Sequence, residues 1–217
     1  MKWSIFTEPV ELYLARTAVG GDPLHPVFEE LQREANERTF PIVGPEVGRF
    51  FLQLAMLHRP RRILELGSGF GYSAVWWALG APEAEIHLTD FREKNLRQAA
   101  DYLARVGATD RIHLHPGDAL EVAGRLEGPW DLIFCDIDKE EYPAAADFAA
   151  TALRPGGVLL FDNILNHGYV AAPEEERGPA AEAIIETTRR LYNDPRWRCS
   201  ILPIRDGILL ALKVPDS

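Results

Sequence analysis

The sequence predicts an α/β fold: a doubly wound, mostly parallel sheet with helices on both faces and a C-terminal antiparallel hairpin. Three observations carry this expectation. From Arg61 onward, short apolar runs alternate with helical patterns, the pattern of successive βαβ units. The run Ile63-Leu64-Glu65-Leu66 opens into glycines at alternate positions, Gly67, Gly69 and Gly71, and then into an unbroken apolar stretch from Tyr72 to Leu79. A strand, a glycine turn and a helix together form a half-site for a nucleotide-like ligand. Glycine lets a ligand approach the backbone, and the helix N-terminus offers free N–H groups and a positive dipole end. Finally, the chain closes on two strand-like runs joined by the tight turn Arg205-Asp206-Gly207, so one of them should run antiparallel to the rest.

In chain order, residues 1–60 read as a helical lead-in and residues 61–217 as the α/β core, together one domain. Pro9 to Arg16 and Pro26 to Thr39 read as helices separated by Gly20-Gly21-Asp22-Pro23, the second with Val27, Phe28, Leu31 and Ala35 at helical spacing. Pro45 suits the first turn of a third helix and Glu46 its dipole end. Phe50, Phe51, Leu54 and Leu57 form its apolar face, and Arg59-Pro60-Arg61 ends it. Seven strands follow: 63–66, 85–89, 111–115, 131–135, 158–161, 198–204 and 208–214. Helices are expected over 72–79, 92–106, 119–126, 141–153 and from about 180 to 192, with a turn at Arg154-Pro155-Gly156-Gly157. The segment Ala171–Gly178, with three consecutive glutamates, reads as a mobile surface loop.

The chain has 217 residues, 47% of them apolar and 26% charged, enough to bury a core and unlike a disordered segment. A net charge of −10 argues against broad binding to nucleic acid or an anionic membrane. Cys135 and Cys199 lie in strand-like contexts and read as buried thiols in a reducing compartment. No apolar run approaches the roughly 20 residues that span a bilayer, and the start of the chain has no apolar signal core. A cytoplasmic location follows as the expectation.

The glycine spacing selects among ligands. Nicotinamide enzymes use G-x-G-x-x-G/A, which here would need a small residue where Tyr72 stands. The pattern present, Glu65-x-Gly67-x-Gly69-x-Gly71, resembles the first motif of class I S-adenosylmethionine-dependent methyltransferases. The next strand ends in Asp90, nineteen residues after Gly71, where an acid can accept from both ribose hydroxyls. Gly117-Asp118-Ala119 follows the third strand and suits contact with an adenine edge; Asp118 reads equally well as a helix cap.

The fourth strand ends in Asp136-Ile137-Asp138-Lys139 and the fifth in Asp162-Asn163. These ends should be neighbours, and Asp136, Asp162 and Asn163 then offer three oxygen donors to a hard divalent cation. No Cys/His group has zinc-like spacing, and His113 and His115 read as packing or rim residues. Asp136-x-Asp138-Lys139-x-x-Tyr142, Arg154-Pro155-Gly156-Gly157 and Asp162-Asn163 resemble the cation-dependent O-methyltransferases, the catechol and caffeoyl-CoA O-methyltransferase family. The likeness extends to Pro41-x-Val43-x-Pro45-Glu46-x-Gly48-x-Phe50, Gly71-Tyr72-Ser73 and Leu202-Pro203-Ile204-x-Asp206-Gly207, nearly the whole chain.

The resemblance implies a Rossmann-like methyltransferase fold and, by position, a set of site residues. Val43, Glu65, Gly67, Ser68, Ser73, Asp90, Ala119 and Asp138 would line the S-adenosylmethionine site. Asp136, Asp162 and Asn163 would hold Mg2+ or another oxygen-liganded cation such as Mn2+ or Ca2+. Lys139 would be the general base, and His167 would contact the substrate, a small hydroxylated aromatic. A homodimer is also implied. Taken alone, Asp138 reads equally as a helix cap and Lys139 as part of a solvated helix start. A phenol has a pKa of about 10; a divalent cation stabilises its phenolate, and a neighbouring lysine disfavoured as ammonium can take the proton.

Two departures bear on the substrate. Many relatives carry tryptophan three residues after the Asp-Asn pair, where Asn166 stands here. No carboxylate lies between Pro195 and Arg205, where the animal catechol enzymes carry an orienting acid. Two alternatives stand beside the catechol reading: methylation of a hydroxylated tRNA uridine, which a basic patch at Arg92, Lys94 and Arg97 would favour, and a non-catalytic S-adenosylmethionine-binding homologue.

Overall fold

The computed structural model describes residues 7–19 and 26–215; the expected break at Gly20-Gly21-Asp22-Pro23 lies outside them. Helices α1 (Glu8–Val19), α2 (Val27–Arg38) and α3 (Gly44–His58) precede the sheet. The core then runs β1 (Arg62–Leu66), α4 (Tyr72–Gly80), β2 (Glu85–Asp90), α5 (Glu93–Arg105), β3 (Ile112–Pro116) and α6 (Ala119–Ala123). It continues through β4 (Trp130–Cys135), α7 (Tyr142–Ala152), β5 (Leu153–Phe161), α8 (Pro179–Asn193), β6 (Trp197–Leu202) and β7 (Ile208–Lys213). The seven strands form one sheet in the order β3-β2-β1-β4-β5-β7-β6. All neighbouring pairs from β3 to β5 are parallel. β7 is the antiparallel member, inserted between β5 and β6.

Alternation along the strands divides the core into two layers. Ile63, Leu132, Phe134, Val158 and Leu160 pack toward α2–α5. Leu64, Leu66, Ile133, Cys135, Leu159 and Phe161 pack toward α6–α8. Trp76 and Trp77 of α4 are filling for the first layer. Trp77 stacks on Phe51 with centroids 4.2 Å apart, and Phe51 meets Phe134 edge-on at 4.7 Å. Phe28 stacks on Trp76 at 3.9 Å.

The structure departs from the sequence expectations at several places. Leu57, expected on the apolar face of α3, is 83% exposed, because the buried face of α3 runs through Val47, Gly48, Phe51 and Ala55. Arg154 to Gly157, expected as a free turn, is an irregular opening of β5: the register against β4 jumps from Trp130↔Leu153 to Leu132↔Val158. The Arg154 guanidinium bonds Asp131, whose other oxygen accepts the N–H groups of Arg61 and Arg62 at 2.9 and 2.8 Å, tying the starts of β1, β4 and β5. Within the largely exposed glutamate-rich segment, Arg177 donates to the Ala172 carbonyl at 2.8 Å and pairs with Glu182.

On the α6 side, β2 and β3 present Glu85, His87, His113 and His115. Burial, reinforced by the charges of His113, His115 and Arg62, pushes His87 down to about 3. No helix among the described residues is long and apolar enough to cross a membrane.

Phe51→Ala should lower stability by about 3–5 kcal/mol, seen as a lower urea midpoint at nearly unchanged m value. Leu57→Ala should stay within about 0.5 kcal/mol of the wild type.

Candidate active site

Strand order reverses between β1 and β4. A crevice at the carboxyl ends of the strands beside such a reversal is where open α/β sheets hold ligands. Here the two strand ends meet closely. Asp136 N–H donates to the Leu66 carbonyl at 2.8 Å, and Gly67 has φ +85°. A Cβ at Gly67 would collide with the Asp136 carbonyl oxygen, so only glycine lets the rims close. Gly71, with φ +94°, then turns the chain into α4.

A cavity of about 510 Å³ fills the crevice, and Val43, Gly67, Ser68, Ser73, Asp90, Ala119 and Asp138 line it. Seven of the eight residues expected to line a cofactor site are thus brought together. Ser68 Oγ is buried there without a hydrogen-bond partner. Asp90 is fixed by the Gly69 N–H at 3.1 Å and by Arg92 N–H and Asn95 Nδ2 at 2.7 and 3.0 Å. Asp118 is the α6 cap, accepting from Glu121 N–H at 2.8 Å. Asp138 precedes a short helical turn but makes no side-chain cap.

Glu65 is the exception. It lies wholly buried beneath the glycine turn rather than on the cavity wall. Ser73 Oγ donates to its Oε1, and its Oε2 has no hydrogen-bond partner. Burial, reinforced by the nearby charge of Asp136 and only partly offset by Ser73, pushes Glu65 up to about 8.

A second, wider cavity of about 1250 Å³ adjoins the first. Both are walled by Phe40, Pro41, Ile42, Val43, Lys139, Asp162 and Asn163. Lys139 Nζ donates to Asp136 Oδ1 at 3.0 Å and to the Ile137 carbonyl at 3.2 Å. Its ammonium lies 5.0 Å over the Tyr142 ring. The Tyr142 hydroxyl donates to the Asp162 carbonyl at 2.7 Å, so the first residue of α7 ties the β5 rim to the Lys139 turn. Asp162 is buried, and that burial, with the charge of Asp136 beside it, holds its carboxyl well above the ordinary carboxylate range. Asp136, Asp162 and Asn163 therefore line one cavity together with Lys139, the cation beside Asp136. This donor set fits a hard divalent cation, which takes oxygen ligands and would relieve the repulsion between the acids.

The wider cavity is lined on its far side by Asn166, His167, Arg205 and Asp206. His167 has φ +54°; its N–H donates to Asp206 Oδ1 at 2.6 Å, and its Nδ1 lies 3.7 Å from Asp206 Oδ2. Asp206 Oδ2 is buried with no hydrogen-bond partner. The stretch from Pro195 to Arg205 carries no carboxylate, but Asp206, the next residue, brings one to this cavity. The Asp-Gly turn was the signal, since a two-strand hairpin beside β5 must deliver its tip to the same rim. Arg205 donates to the Ile42 carbonyl at 2.9 Å and clamps the segment that walls both cavities. Of the surface cations considered for nucleic acid, Arg97 is engaged by Glu93 at 2.7 Å.

The sequence model of a family described as O-methyltransferase matches residues 18–214. A catechol O-methyltransferase of Mycobacterium tuberculosis is 32% identical over 174 residues, 79% of each chain. A caffeoyl-CoA O-methyltransferase of Eucalyptus gunnii is 28% identical over 183 residues, 78% of this chain and 73% of its own. Among solved structures, the O-methyltransferase from Bacillus cereus in complex with SAH superposes with a TM-score of 0.81 at 26% identity, covering 97% of this chain and 98% of its own.

The buried Glu65 sets a pH test. Its pKa is raised from 4.5 to about 8 on folding, so the native state keeps a proton that the unfolded chain releases. Its stabilising contribution is full below pH 4.5 and is lost as pH rises toward about 8. Glu65→Gln cannot lose that proton. In urea titrations of the ligand-free protein it should match wild type at pH 5 and gain on it by pH 8, by on the order of a few kcal/mol.

Proposed function

The chain belongs to the O-methyltransferase family, and from that premise we propose that it moves the methyl group of S-adenosylmethionine to one hydroxyl oxygen of a small vicinal-dihydroxy aromatic, with a divalent cation at Asp136, Asp162 and Asn163. One observation carries this reading. Two cavities meet at Lys139, Asp162 and Asn163, so a donor in one and an acceptor in the other would face each other across the Lys139 side of the shared wall. The relative from Mycobacterium tuberculosis, named a catechol O-methyltransferase, supports the substrate class.

The first cavity takes S-adenosylmethionine. Asp90 receives the ribose hydroxyls, and the Ser68 hydroxyl and the first N–H groups of α4 meet the amino-acid end. Glu65 acts from beneath, by fixing Ser73. The wider cavity takes the aromatic diol, with Asp206 and His167 at its far end.

The metal site is held by oxygen donors alone, and Mg2+, Mn2+ or Ca2+ suits it. Bound there, the cation supplies positive charge that stabilises a substrate oxyanion and disfavours the neighbouring ammonium of Lys139. Lys139 takes the hydroxyl proton at Nζ, and Asp136 Oδ1 and the Ile137 carbonyl then hold the ammonium that forms. Transfer joins an oxyanion to the methyl carbon of a sulfonium, so both charges are consumed. The remaining acceleration is positioning of oxygen, carbon and sulfur in line.

A screen with labelled S-adenosylmethionine over catechols, hydroxycinnamoyl thioesters and hypomodified tRNA, with and without chelator, tests the reading. Catechols should be methylated, chelator should stop the reaction and added Mg2+ should restore it. Lys139→Ala should lower kcat by about 10²–10⁴-fold, and Asp162→Ala should abolish turnover. Chelator-insensitive activity would remove the cation from the mechanism. Transfer to tRNA alone would move the substrate to nucleic acid, and tight cofactor binding with no transfer would favour a non-catalytic protein.

A further inference from the structure

The opposite rim of the sheet carries a second group of metal-ligating side chains. Glu85, His87 and His113 each place one ligand atom within 4.8 Å of the others. Strand register brings them together. His87 of β2 lies opposite His113 of β3 in a parallel pair, which puts both rings on one face. Glu85, two residues before His87, shares that face by alternation. The His87 and His113 rings stack with centroids 4.3 Å apart and 25° between their planes. Zinc-like spacing is absent from the sequence because the ligands come from two strands.

The second observation concerns His87 itself. It is 9% exposed, and its Nε2 is buried without a hydrogen-bond partner. Its Nδ1 lies 3.0 Å from His115 Nε2. When His87 Nδ1–H donates to His115, the Nε2 lone pair is left free, which is how a neighbour fixes the tautomer of a metal-binding imidazole.

We propose that Glu85, His87 and His113 form a Zn2+ site that clamps the edge strand β3 to β2, with water in the fourth position. Two imidazoles and a carboxylate match the donors zinc accepts, and they disfavour Mg2+, which prefers oxygen alone. The site is separate from the oxygen-donor cluster. Glu85 opens β2 and Asp90 closes it, so about 17 Å of strand divides the two rims. Arg62 Nε stands 3.8 Å from Glu85 Oε2, so binding exchanges that ion pair for the metal. The proposal does not depend on the catalytic reading.

The test uses the full chain stripped of metal and titrated with Zn2+ in excess Mg2+, read by competition with a chromophoric zinc indicator and by thermal melting. One equivalent should bind. At zinc a hundredfold above Kd, Tm should rise by roughly 5 °C or more. Co2+ in place of zinc should give the visible absorption of a nitrogen-ligated tetrahedral site. His113→Ala and Glu85→Gln alter exposed side chains and should melt like wild type without zinc, yet bind it at least tenfold more weakly. Asp162→Ala should bind it as wild type does. No zinc uptake by the wild type, or uptake that survives both rim variants, or uptake lost in Asp162→Ala, would overturn the proposal.

Discussion

The carbonyl oxygen of Asp136 lies where a side chain at position 67 would begin. That single close approach sets the geometry of everything above the sheet. It lets β1 and β4 come together at the point where strand order reverses, and so fixes the width of the crevice. The same residue turns its carboxylate to Lys139. The glycine that opens the crevice and the acid that pairs with Lys139 are therefore coupled through one backbone contact. A change at either strand end is felt on both sides.

The electrostatics follow from that crowding. Glu65, Asp136 and Asp162 gather near one point, two of them buried, with Lys139 as the nearby cation. Burial and mutual repulsion drive Glu65 and Asp162 toward their protonated forms. Such an arrangement is costly for a protein without a ligand. It becomes favourable when positive charge arrives, and the proposed reaction brings two cations: a divalent metal ion on one wall and a sulfonium on the other.

The fold was legible because its signals are local. Alternating periods located each strand, and the turn Arg205-Asp206-Gly207 announced the antiparallel partner. The convergence of Gly67, Asp90 and Ala119 on one cavity was legible for the same reason: strand ends in a parallel sheet share a rim. What the sequence hid depends on distance along the chain. Leu57 fits a helical stripe, but nothing local said that α3 would have no neighbour there. Glu65 sits two residues from the glycines, yet only the three-dimensional structure places it beneath them, answering to Ser73. Asp206 lay outside the stretch searched for an acid, although hairpin topology delivers it to the cavity. The pairing of His87 with His113 required register between two strands separated by a whole helix.

Asn166 and Asp206 together bear on what the wider cavity accepts. The family resemblance leads one to expect a tryptophan at the first of these positions. Here the same turn carries an amide, and Asn166 and His167 both hold positive φ, with the turn pinned by Asp206 through the His167 N–H. This edge of the cavity is polar, and behind it stands a carboxylate oxygen without a hydrogen-bond partner. A buried acceptor left unpaired is a penalty that a hydroxyl or amine donor on the substrate would remove. A ring carrying only apolar substituents would leave it unpaid. On the proposed reading, selectivity at this end of the cavity comes from a hydrogen bond to Asp206 rather than from stacking, and it favours aromatics with a polar group beyond the two hydroxyls at the metal.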